Sequence, residues 1–311
     1  MTDLVYIMGH GYSGSTLLTF LLGSHPGIAT IGELGIAPRG KTPTPDEYLC
    51  SCQAPILECD FWQQVTRRMA ERGYPFDIWD SDLDFHHLGS RNNGGGLSGV
   101  VLRAVQRGPV LETIRNTALR VLPGARGEMS RILARIEALV ESVLAIQGRS
   151  VFLDSSKRPE RAVFMSRVPS FRMKVIHLVR DGRAVSWSSM KNLGIGPEEA
   201  ARSWVADNRG SEHARRYFSP DRWLTLRYED LCSTPEETLT RIYDFIGVPA
   251  KNGIHDFRNF EHHIIGNRMR LASTSEIRLD TRWKEALTRE QMAIIERRVR
   301  PLNQKYGYGA L

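Results

Sequence analysis

"YIMGHGYSGSTLLTFLLGSHP", residues 6–26, runs from an apolar stretch through a glycine-rich turn into a leucine-rich segment. The apolar start reads as a buried strand. Leu17, Leu18, Leu21 and Leu22 read as the buried stripe of a helix that stops between Gly23 and Pro26. The turn between them fits two phosphate-binding templates. Gly9, Gly14, Ser15 and Thr16 stand at the positions of G-x-x-x-x-G-K-[ST], with Ser15 where the lysine belongs. Gly9, Gly11 and Gly14 also spell G-x-G-x-x-G.

The rest of the chain alternates in the same way. "VFLD" (151–154), "KVIHLV" (174–179) and "RWLTLRY" (222–228) join "LVYIMG" (4–9) as short, apolar, β-branched runs of the kind buried in parallel sheets. "EMSRILARIEALVESVLAIQG" and "PEETLTRIYDFIGVP" are amphipathic helical patterns with glycine stops. Strands alternating with helices predict an α/β fold, a parallel central sheet flanked by helices. One domain is expected over residues 1–311, with an irregular or helical insertion or cap at about 38–150. That segment holds a cysteine cluster and "NNGGG" at 92–96. It reads either as a substrate-facing lid or as a structural excursion.

Composition narrows the ligand. The 311 residues carry 42 Lys and Arg against 35 Asp and Glu, a net charge of +7, which favours an anionic ligand or acidic partner. The basic residues form no block and are not interleaved with aromatic platforms, so nucleic acid is not expected. The opening "MTDLVYIMGHG" has an acid where a secretory signal needs a base, and no apolar run is long enough to span a bilayer. A cytoplasmic protein is expected; its oligomeric state is not legible. Cys50, Cys52 and Cys59 lie in "YLCSCQAPILECDFW". Their C-x-C-x6-C spacing lacks the C-x2-C pairs of zinc sites, and no neighbouring histidine completes a set. They are expected as thiols of a structural or variable loop, and no metal site is expected.

The first template needs a lysine to reach the β- and γ-phosphates of a nucleoside triphosphate, yet no lysine precedes Lys41. ATP hydrolysis is therefore disfavoured. A dinucleotide-binding oxidoreductase is the alternative, with Glu33 after "IATIG" as the ribose-binding acid. Pro26 and Gly27 break the chain before that piece, and no regular second strand and helix are expected to follow. A second anion site lies in "KVIHLVRDGRAVSWSS". There Arg180 ends a strand, Asp181 N-caps a helix from about Gly182, and Ser188 stands two turns inside it.

The pairing of "GYSGSTLLTFLLGSHPGIATIGE" with "VIHLVRDGRAVSWSS" resembles the sulfotransferases that use 3′-phosphoadenosine 5′-phosphosulfate (PAPS), in particular their bacterial, carbohydrate and tyrosylprotein branches. "WLTLRYEDLCSTPEETLTRIYDFIGVP" and "STSEIRLDTRWKEALT" extend the likeness over most of the chain outside 38–150. The resemblance implies the phosphate-loop nucleoside triphosphate hydrolase-like sulfotransferase fold. It also implies a sulfuryl donor, PAPS, leaving as adenosine 3′,5′-bisphosphate (PAP) with no metal required. By that likeness Gly11, Tyr12, Ser13, Gly14, Ser15 and Thr16 hold the 5′-phosphosulfate, and Arg180 and Ser188 hold the 3′-phosphate. Ser273 and Arg278 belong to a late loop that closes over the nucleotide. Glu33, in an "HP…GE" context, is the expected base, and Lys157 in "DSSKRP" stabilises the bridging oxygen. The acceptor is a small-molecule, sugar or other hydroxyl, or an amine. Tyr12 departs from the pattern, because relatives usually carry Arg or Lys there; His10 or Lys157 is expected to compensate. A catalytically inactive, nucleotide-binding homologue is the reading in which nothing does.

Overall fold

The structure, a computed structural model, describes residues 1–34, 44, 47–79, 81, 83–85, 109–251, 253, 256–266, 268–272 and 275–309. Five strands form one parallel sheet: β1 (Thr2–Met8), β2 (Ile28–Gly32), β3 (Val151–Lys157), β4 (Phe171–Val179) and β5 (Trp223–Arg227). Their order is β2-β3-β1-β4-β5. The sheet is buried on both faces, and the alternation along β1 shows how. Leu4, Tyr6 and Met8 enter one core with residues of the helices Asp60–Glu71 and Pro123–Gln147. Val5 and Ile7 enter the other, with residues of the helices Ser15–Gly23 and Pro235–Ile246. A third cluster gathers around Trp204 from Gly182–Leu193, Pro197–Ala214 and Arg289–Lys305, beside the end of β4.

The parallel α/β architecture is as expected, with one correction. "IATIG" is a full edge strand, β2, paired in parallel with β3 and buried at every position. The Pro26–Gly27 break is only the turn that delivers it. Arg149 fastens that turn by donating to the Ile28 carbonyl at 2.8 Å. Within the expected cap, helices occupy Asp60–Glu71, Pro109–Val121 and Pro123–Gln147. "NNGGG" lies outside the described residues. No helix among the described residues is long and apolar enough to cross a membrane.

Candidate active site

In a parallel sheet all strands end on the same side, and the loops leaving those ends form the ligand crevice. Here a cleft of about 670 Å³ lies at that edge, and all five strands contribute to it. Gly11, Tyr12, Gly14, Ser15 and Thr16 follow β1, and Glu33 follows β2. Lys157 is the last residue of β3, Arg180 follows β4, and Tyr228 follows β5.

The β1 loop is shaped by contacts that only small residues permit. Gly14 has φ 89°, and a Cβ there would meet the Tyr228 ring at 2.2 Å. Gly14 caps the Ser15–Gly23 helix with no side-chain hydrogen bond, leaving that helix N-terminus open to an anion. Tyr12 holds a left-handed φ of 62° without being glycine. Such strain in a cleft residue points to function. Burial pushes the Tyr12 hydroxyl above its ordinary range, so it faces the cleft as a neutral donor.

Lys157 is aimed by an irregularity. β1 and β3 pair Tyr6 with Asp154 but Met8 with Lys157, so β3 carries one extra residue just before its end. A bulge of this kind re-aims the side chain that follows, and Lys157 itself has φ 69°. Its ammonium forms a hydrogen-bonded ion pair with the Glu33 carboxylate across the cleft. The base and the lysine expected from sequence are thus direct partners.

Arg180 is buried, 6% exposed. Its Nη1 donates to the Tyr12 carbonyl at 2.9 Å and its Nη2 to the Asp280 carbonyl at 3.1 Å, while its plane lies over the Tyr228 ring at 4.6 Å. Its Nε has no partner among the described residues. A guanidinium held in place at the wall of the cleft is suited to pair with an incoming phosphate oxygen. Asp181 N-caps the Gly182–Leu193 helix by accepting from Arg183 N at 2.9 Å, as expected. Ser188, about two turns along that helix, lines the cleft and donates to the Ala184 carbonyl at 3.0 Å. Arg278 also lines the cleft; Ser273 lies outside the described residues.

Two expected residues face elsewhere. His10 is 6% exposed, with Nδ1 2.6 Å from the Gly11 carbonyl and Nε2 3.2 Å from Ser203 Oγ, so it braces the loop from behind. It does not line the cleft, which corrects its placement beside the reacting groups. Ser13 is turned inward, 1% exposed, its Oγ unpartnered among the described residues.

Residues not singled out from sequence complete the walls: Tyr228, Tyr48, Phe257, Met269, Arg258 and Arg282 among them. Tyr228 had a signal, since it is the last residue of a strand expected from sequence, "RWLTLRY". Among the described charged residues lining the cleft, five are basic (Lys157, Arg180, Arg258, Arg278, Arg282) and three acidic (Glu33, Glu276, Asp280). That balance favours an anionic ligand.

Residues 172–252, which contain Arg180, β5 and all of β4 but its first residue, match the profile described as "Sulfotransferase family". Over 324 aligned residues the chain is 27% identical to the omega-hydroxy-beta-dihydromenaquinone-9 sulfotransferases Stf3 of Mycobacterium bovis and Mycobacterium tuberculosis. The alignment covers 98% of this chain and 75% of theirs. The chain is similar to the sulfotransferases, in one segment by the profile and along most of its length by the relatives. Its fold is that of two solved domains. One is the sulfotransferase domain of the Synechococcus PCC 7002 olefin synthase (TM-score 0.53, 20% identity, covering 100% of this chain and 96% of that one). The other is the sulfotransferase domain of the curacin biosynthetic pathway (TM-score 0.51, 17% identity, covering 100% and 99%).

Proposed function

We propose that the chain transfers a sulfuryl group from PAPS to the hydroxyl of a small-molecule acceptor. The observation that carries this reading is that the β1 loop, the Arg180–Ser188 pair and the Glu33–Lys157 pair line one cleft. When bound, the donor supplies an activated sulfuryl group and leaves as a stable bisphosphate. The β1 loop, with its uncapped helix N-terminus and the hydroxyls of Ser15 and Thr16, takes the 5′ end. Arg180 and Ser188 take the 3′-phosphate. Glu33 accepts the acceptor's proton as its oxygen bonds to sulfur and the sulfur–oxygen bond to the leaving phosphate breaks. Lys157, released from Glu33 as substrates enter, donates to the bridging oxygen, where charge develops. Tyr12 adds a neutral hydrogen bond rather than a second cation.

Positioning and fixed charge suffice for such a loose transfer, so no divalent ion is needed in the cleft, and the missing lysine of the β1 loop has its counterpart in Lys157. Leu17, Tyr48, Phe257 and Met269 give the cleft an apolar side. Together with the lipoquinone hydroxyl named for the mycobacterial relatives, this favours an alcohol on a largely apolar acceptor.

Thermal denaturation tests the donor. PAP should raise the melting temperature in the presence of EDTA, by binding the folded state. ATP and NAD should raise it much less. An equal shift with NAD would favour the oxidoreductase, and no shift with PAP would sink the proposal.

A further inference from the structure

The cysteine cluster does not stand alone. Cys50, Cys52 and Cys59 meet His263, which arrives from the far end of the chain, 204 residues beyond Cys59. This overturns the expectation that no histidine completes the set. The four ligand atoms lie within 4.8 Å of one another. Cys52 Sγ is 3.6 Å from Cys59 Sγ. His263 Nδ1 is 3.4 Å from Cys59 Sγ and 3.8 Å from Cys50 Sγ. A tetrahedral zinc ion with Zn–S near 2.3 Å and Zn–N near 2.0–2.1 Å sets its ligands about 3.8 Å apart for sulfur pairs and about 3.6 Å for sulfur–nitrogen pairs. These three separations are close to those values. They are far too long for a disulfide, whose sulfurs are bonded at about 2.05 Å.

We propose that Cys50, Cys52, Cys59 and His263 form a structural zinc site. The surroundings are those of a metal centre rather than of four residues thrown together. His263 presents Nδ1 to the thiols while Nε2 bonds Glu261 Oε1 at 3.0 Å, the carboxylate partner that fixes the tautomer of a ligating imidazole. Its ring is stacked on Phe61, 4.4 Å between centroids and 3° between planes. Backbone N–H groups of Cys52, Ala54 and Trp62 face the sulfurs of Cys50, Cys52 and Cys59 respectively. Cys59 is the N-cap of the Asp60–Glu71 helix, where a thiolate is favoured. Three thiolates and an imidazole close the coordination sphere, so the site is structural and not hydrolytic.

Its position gives it a purpose. The loop that carries His263 bonds to β2: Ile265 N donates to the Ile31 carbonyl at 2.9 Å. The next residue, Gly266, packs so closely on Glu33 that a Cβ there would lie 3.0 Å from Glu33 Oε1. Ser51, between two of the cysteines, donates to the His262 carbonyl and accepts from Ile264 N, both at 2.7 Å. The ion would rivet these two segments together directly behind the carboxylate. The inference is independent of the identity of the donor.

The full chain, produced in zinc-supplemented medium and passed through a desalting column, should retain about one zinc per chain by elemental analysis, as a closed four-ligand site holds. Exchange for cobalt should produce the intense ligand-field absorption of a tetrahedral thiolate site. His263→Ala should lose most of the metal, and His263→Cys, which restores a fourth thiolate, should regain it. Should His263→Ala fail to fold, metal content and the cobalt spectrum of the unaltered chain still decide. Wild-type protein free of zinc with three freely reactive thiols would overturn the proposal. So would a Cys52–Cys59 disulfide found by mass spectrometry under these conditions, or full metal retention by His263→Ala.

Discussion

Glu33, Lys157, Arg180 and Tyr228 each stand at, or one residue beyond, the last residue of a strand. The cysteine cluster is built otherwise: three ligands come from a ten-residue loop stretch and the fourth from 204 residues away. In the cleft the sheet does the positioning, because parallel strands carry their termini to one edge whatever the loops do. At the cysteine cluster the described residues make only isolated bridges, Gly32–Ile265 and Leu49–Pro55, and the proposed ion supplies the cross-link. The two regions should therefore fail differently. Cleft variants should lose turnover or ligand affinity with little change in melting temperature, whereas cluster variants should lose stability first.

The largest effect is expected at the carboxylate. Glu33→Gln keeps the shape and removes the base, so single-turnover transfer should slow ~10²-fold or more, the usual contribution of a positioned base. PAP affinity should barely change. Near-normal transfer would mean that the residue after β2 is only a partner for Lys157, and the contrast between the regions would lose its main support.

Arg180→Ala comes next and should act on binding. A charge-assisted hydrogen bond contributes about 1.5–3 kcal/mol, so PAP affinity should fall about 10- to 10²-fold by calorimetry. Retained affinity would remove the 3′-phosphate from this strand end.

The sheet interior offers a smaller effect that the cleft should not feel. Burial holds His177, inside β4, at about 4, below its ordinary 6.5. Between those values the unfolded chain binds a proton that the folded chain does not, so stability present above pH 6.5 is lost as pH falls toward 4. For His177 alone the loss is about 2 kcal/mol by pH 5. His177→Gln keeps a donor toward Asn208 Oδ1, now 3.2 Å from Nε2, and should flatten the denaturant-melt profile between pH 7 and pH 5. An unchanged profile would place the titration elsewhere.

The same contrast explains what the sequence made legible. The β1 loop and the Arg180 helix could be read because their residues adjoin the strands that place them, so short-range patterns carry the geometry. β2 was missed because five buried residues behind Pro26–Gly27 are too few to show a period, and only β3 beside them makes them a strand. His10 was misplaced because sequence fixes its neighbour, Gly11, but not that Ser203 draws its ring behind the loop. The Glu33–Lys157 pair and the Cys59–His263 contact join residues 124 and 204 positions apart, beyond any local pattern.

The smallest expected effect concerns Tyr12, the residue where this chain departs from the sulfotransferases it resembles. Its φ of 62° is held partly by Arg180, whose Nη1 takes the Tyr12 carbonyl at 2.9 Å. An L-residue in that conformation costs roughly 1–2 kcal/mol relative to glycine, which tolerates it freely but loses about 0.5–1 kcal/mol of chain entropy on folding. Tyr12→Ala and Tyr12→Gly delete the same aromatic ring, so the difference between them isolates the backbone. The glycine variant should be the more stable of the two, by at most about 1.5 kcal/mol in denaturant melts. Tyr12→Phe, which keeps the ring and the strain, should melt like the wild type, and its single-turnover rate then reports only the lost hydroxyl. If the alanine variant equals the glycine variant in stability, the loop relaxes once the ring is gone, and the strain belongs to the packing of Tyr12 and not to the turn that Arg180 holds.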